Sequence, residues 1–96
     1  MRYTVIDRKN CADMQTQTIV YSADGEIVPP AVRRPLVHGL YKEQVYNLED
    51  SRTFLACTRK ISCAGQNESH AEIWPQDGVL SSKQQYLLEK FKEHSL

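Results

Sequence analysis

Charge of one sign is what this chain most clearly lacks. Twelve Lys and Arg offset twelve Asp and Glu over 96 residues. Both halves mix the signs: residues 1–50 carry six basic and seven acidic side chains, residues 51–96 six and five. No net field therefore gathers phosphates or anionic lipids over distance, and neither half reads as a basic module. Long apolar runs are missing too. None approaches the roughly 20 residues of a membrane span, and the opening MRYTVIDRKN has no apolar segment of the kind a secretory leader needs. Three cysteines are an odd count without a disulfide-dense pattern. These absences together predict a cytoplasmic protein with reduced thiols, and no internal repeat or low-complexity tract divides it.

What is present is ordinary globular chemistry. Hydrophobic residues at 41% and charged residues at 25% suffice for one core, and residues 1–96 are read as a single small domain. A chain of this length buries roughly 65% of its unfolded surface, enough to fold alone with a modest margin.

The richest stretch is Arg52 to Trp74, with two of the cysteines and the single tryptophan. It reads as a hairpin whose paired residue numbers sum to 128. That register sets Phe54 opposite Trp74, Thr58 opposite His70 and Lys60 opposite Glu68, so aromatics and opposite charges meet across the strands. The other face then holds Leu55, Cys57, Ala71 and Ile73, the expected core side. Pro75 ends the second strand.

Elsewhere the pattern predicts a strand at residues 2–6 and another at 15–22, then an Asp24-Gly25 turn into a short strand at 27–28 cut off by Pro29-Pro30. Residues 29–35 read as an extended connector displaying Arg33 and Arg34. Residues 36–48 mix helical spacing with β-formers; the reading is a strand over 36–41, then a turn or second short strand at 44–48. Ser81 or Ser82 caps a helix to about residue 94, with Leu80, Leu87, Leu88 and Phe91 along one stripe. The fold class is α+β: an antiparallel sheet of four or five strands with one C-terminal helix packed on a face.

Four readings compete for these residues. Cys57, Cys63 and His70, with Cys11 and His38, offer soft metal ligands, but no close ligand pair exists and the register separates Cys57 from His70. Cys63 beside Ala64-Gly65, with His70 near, would be the start of a cysteine nucleophile, yet no nucleophile-elbow or phosphate-loop pattern supports it. The expectation is no metal, no cofactor and no enzyme, with a Cys/His-dependent or zinc-dependent activity near Cys63 and His70 as the third reading. A nucleic-acid module is the leading alternative: residues 33–60 carry six basic against three acidic side chains, and Phe54, Trp74 and Lys60 share a proposed sheet face. The preferred reading is a small regulator or inhibitor acting by contact with another protein or complex, of the phage or mobile-element accessory kind. Arg33, Arg34, Tyr41, Phe54, Lys60 and Trp74 are its expected binding residues, being types that dominate interface energetics. The edge at residues 26–28 offers a route to self-association.

Overall fold

The computed structural model describes residues 2–9, 14–48, 53–62 and 67–93. Its elements are β1 (Arg2–Arg8), β2 (Met14–Tyr21), β3 (Val32–Leu36), β4 (Tyr41–Asn47), β5 (Phe54–Ser62), β6 (Asn67–Trp74) and α1 (Ser82–Glu93). One antiparallel sheet has the order β1-β4-β3 and a second the order β2-β5-β6. The α+β class and the C-terminal helix agree with the sequence reading. The strand count does not: among the described residues, six strands in two sheets replace four or five in one.

The physical cause is β5. Phe54, Leu55, Ala56 and Cys57 are consecutive and all buried, so this strand is apolar on both faces and needs a covering layer on each. On one side Phe54 and Ala56 join Val5, Val20, Tyr46 and Leu48, with Tyr3, Val28 and Trp74 packed around them. On the other, Leu55 and Cys57 meet Phe91, with Tyr21, Ala71, Leu80 and Leu88 alongside. The layers therefore run first sheet, second sheet, helix. The first sheet, and not the helix, covers Phe54 and Trp74.

The β5–β6 register is the expected one, with Phe54 opposite Trp74, Thr58 opposite His70 and Lys60 opposite Glu68. Asp24-Gly25 does turn the chain: Gly25 has φ +82°, its N–H donates to the Ser22 carbonyl at 2.9 Å, and Ser22 N–H donates to the Glu26 carbonyl at 2.8 Å. The segment leaving this turn is shorter than a strand. Ile27 makes an isolated bridge to Tyr21, and Val28 N–H reaches the Val20 carbonyl at 2.8 Å.

Two boundaries differ from the sequence reading. The expected connector contains most of β3, which pairs with β4 from Val32–Val45 to Leu36–Tyr41. Pro35 is tolerated because β3 is an edge strand, with no described strand bonded to its other side. The expected strand over 36–41 is instead a reversal at residues 37–40, entering β4 at Tyr41. Val37 (φ 49°), His38 (φ 56°) and Gly39 (φ 83°) are all left-handed there. For a β-branched valine that conformation costs on the order of 1–2 kcal/mol, which is why Val37 gave no turn signal.

At α1, Ser81 and Gln84 form a reciprocal cap. Gln84 N–H donates to Ser81 Oγ at 3.1 Å, and Ser81 N–H donates to Gln84 Oε1 at 2.9 Å. Ser81 Oγ also donates to the Ala23 carbonyl at 2.7 Å, tying the helix start to the Asp-Gly turn. Among the described residues, no helix is long and apolar enough to cross a membrane.

Candidate functional site

Alternation along β1, β4 and β3 assigns their side chains to two faces. Tyr3, Val5 and Asp7 point into the sandwich with Tyr46 and Gln44. The outer face then carries Thr4, Ile6 and Arg8 from β1, Tyr41, Glu43 and Val45 from β4, and Val32, Arg34 and Leu36 from β3. No described element lies across it. Ile6 remains 57% exposed, and Arg34 meets Glu43 at 3.7 Å. At the β3–β4 end of this sheet, Val37 and Leu40 are also exposed.

The six residues expected to bind do not form one surface. Arg34 and Tyr41 share the outer sheet face. Arg33, one residue away, turns to the opposite side and lines a cleft of about 220 Å³ with Pro29, Gln44 and Tyr46. Phe54 is only 6% exposed and belongs to the inter-sheet core. Trp74 is half-buried against Tyr3, ring centroids 5.1 Å apart, and its Nε1–H donates to Glu72 Oε2 at 3.2 Å. Lys60 is exposed on the second sheet, opposite Glu68. The aromatic pair that a base-stacking face would need is thus enclosed between the sheets or turned against Glu72.

The sequence reading missed the most organised polar group of the fold. Asp7 is 3% exposed and its carboxylate accepts four hydrogen bonds. Thr16 Oγ1 donates to Oδ1 at 3.2 Å and Thr18 Oγ1 to the same oxygen at 2.8 Å. Thr18 N–H donates to Oδ2 at 3.0 Å and Gln44 Nε2 does so at 3.0 Å. Thr16 Oγ1 in turn accepts Arg8 N–H at 2.7 Å, and Thr18 Oγ1 lies 2.9 Å from Thr58 Oγ1. A carboxylate so occupied pins β1 to β2 and β4, and its lone pairs are committed to structure. The signal was available: Tyr3, Val5 and Asp7 lie at i, i+2, i+4, so a strand with Val5 inward puts Asp7 inward too.

The soft-ligand residues separate as the register requires. Thr58 faces His70 and Cys57 faces Ala71, so thiol and imidazole project from opposite sides of the sheet. His70 is exposed, with Nε2 3.4 Å from Glu72 Oε1. Among the described residues, no three of His, Cys, Asp or Glu gather where a metal could bind. Cys11 and Cys63 lie outside the described residues.

Cys57 itself is fully buried, and burial pushes its thiol up to about 11. The fold thus favours the neutral thiol. That contribution is complete below the unfolded value of 9.0 and is withdrawn as pH rises past about 11. Burial, with Glu72 nearby, raises the Tyr3 hydroxyl to about 12 in the same sense. The expected result is resistance of Cys57 to iodoacetamide at about pH 8 until denaturant is added, by peptide mass mapping, with the folded circular-dichroism signal weakening between about pH 9 and 12. Rapid native alkylation of Cys57 would contradict the packing beneath α1.

No protein-family model, curated protein or solved structure matches this chain. What the geometry defines is a class: a two-sheet sandwich backed by one helix, with one sheet face left uncovered by any described element.

Proposed function

We propose that this chain is a non-enzymatic binding protein that works by protein–protein contact through the outer face of the β1-β4-β3 sheet, and that the contact regulates or inhibits a larger complex. The observation carrying this reading is the composition of that face. A solvent-facing antiparallel sheet normally shows polar side chains outward, whereas this one sets Ile6, Val32, Leu36, Tyr41 and Val45 among arginines. Apolar side chains interleaved with Tyr and Arg are the chemistry of interface cores. The Asp7 carboxylate and the Cys57 thiol, which a reaction would need free, are occupied elsewhere: the first by four donors, the second by burial.

Affinity capture from the native host tests this with the parent chain, the double variant Ile6→Asp/Arg34→Glu on the outer face, and Lys92→Glu on the helix. The parent and the helix variant are expected to hold the same partner. The outer-face variant should keep its circular-dichroism spectrum yet bind at least about tenfold more weakly, as loss of a central contact implies. Equal capture by all three proteins would reject this face.

A further inference from the structure

We propose that the groove between α1 and the second sheet accepts a single acidic side chain, a glutamate or aspartate projected by a partner polypeptide. The inference rests on the reading that the chain acts by protein contact, but it uses the opposite side of the molecule from the outer sheet face. The groove, of about 190 Å³, is lined by Gln17, Ile19, Tyr21 and Arg59 from the strands and by Leu87, Lys90 and Phe91 from the helix.

Arg59 is the residue that points to a ligand. Its guanidinium carbon stands over the Phe91 ring, 5.0 Å from the centroid, a cation–π contact that leaves the N–H donors of the cation unmet by the ring. Among the described residues, its Nε is buried without a hydrogen-bond partner. Buried donors are nearly always satisfied, so an enclosed Nε–H with no acceptor calls for one. A carboxylate meeting the guanidinium side-on takes Nε–H and one Nη–H together, a pose that requires Arg59 to turn on its stem, because Nε is closed to solvent as it stands. Among the described residues, no acidic side chain lines the groove. Lys90 also lines the groove, but its ammonium is engaged by Glu93 at 3.7 Å and stands 5.6 Å from the Tyr86 ring centroid, so Arg59 is the cation that a ligand would meet.

Size and charge select the occupant. Sites for whole small molecules usually have roughly 300–1,000 Å³, so this groove suits one side chain delivered by a larger body. Ile19, Leu87 and the Tyr21 and Phe91 rings match an apolar stem below the charge. The last two turns of α1 border the groove, and the partial negative charge of a helix carbonyl end opposes a dianion more than a monoanion. That favours carboxylate over phosphate.

The test is an NMR titration of the full chain with acetyl-Leu-Glu-Leu-amide, its Gln counterpart, butyrate and inorganic phosphate at fixed ionic strength. The Arg59 Nε–Hε and Phe91 ring resonances are the readouts. Saturable millimolar shifts with the Glu peptide, at least about tenfold weaker response to the Gln peptide, and loss of the Phe91 shift in Arg59→Gln are the expected results. The parent-protein arms decide the matter even if that variant folds poorly. No saturable response to the Glu peptide, or an equal one to the Gln peptide, overturns the proposal. Equal or tighter binding of phosphate overturns the carboxylate class, and equal binding of butyrate overturns the partner side chain. Ile6 and Arg34 are remote from this groove, so its failure leaves the outer-face experiment to stand or fall separately.

Discussion

Replacing Asp7 with alanine is expected to lower stability by about 3–5 kcal/mol, the cost of stripping a buried network of its central acceptor. Four donors lose their partner at once: both threonine hydroxyls, Thr18 N–H and Gln44 Nε2. Water entering the adjoining cleft of about 340 Å³ softens the loss without removing it, since Asp7 is 3% exposed. For a domain of this size about 4 kcal/mol is roughly half of the total stability and corresponds to a fall in melting temperature of about 15–30 °C. Asp7→Asn should cost less, about 2 kcal/mol, because its amide keeps one acceptor oxygen but turns an N–H₂ toward donors. Thr18→Val removes one hydroxyl from the same network and should cost about 1–2 kcal/mol. Urea denaturation of the three variants measures all of this. An Asp7→Ala protein within about 1 kcal/mol of the parent would show that the carboxylate does not hold β1 to β2.

Gln84→Ala is expected to cost about 2–3 kcal/mol, more than loss of a helix cap alone. Gln84 is 0% exposed and uses both ends of its amide: Oε1 accepts Ser81 N–H, and Nε2 donates to the Thr53 carbonyl at 2.7 Å. The second bond fastens α1 to the segment entering β5, so truncation loosens the helix from the layer it covers. Glutamate separates the two roles. A capping box accepts Glu as readily as Gln, but a buried carboxylate cannot donate to the Thr53 carbonyl. Gln84→Glu should therefore be destabilised by a similar amount at neutral pH and partly recover in acid. In that variant the protonated form is favoured by the fold, so stability is present at low pH and lost as the carboxyl ionises. Thermal melts at about pH 4 and pH 7 read the difference. Equal stability of Gln84→Glu and parent at neutral pH would mean that the Thr53 bond contributes nothing.

The legible parts of this fold share one property: their partners are near in sequence. The β5–β6 register could be read because each charge or ring faces its match within one hairpin. The α1 boundaries could be read because cap and apolar stripe recur over a few turns. Asp24-Gly25 was legible for the same reason, and its glycine also lies close to the helix, where an added Cβ would come within 3.3 Å of Lys83 Cβ. The candidate surface was legible only in part. Residue type pointed to Arg34 and Tyr41, but adjacent arginines on a strand face opposite ways, so strand β3 divided Arg33 from Arg34.

The amino-acid order by itself determined the local elements: the alternation that makes strands, the aspartyl-glycine reversal, the capped helix and the pairing across residues 54–74. Tertiary structure alone decided which strands share a sheet. β1 pairs with β4 and β2 with β5, each across a long stretch of intervening chain, so no local pattern records the choice. That partition comes from burying both faces of β5 at once, a condition met only when distant segments come together. It is also what enclosed Phe54, turned Asp7 into a tie between strands and left Ile6 facing out.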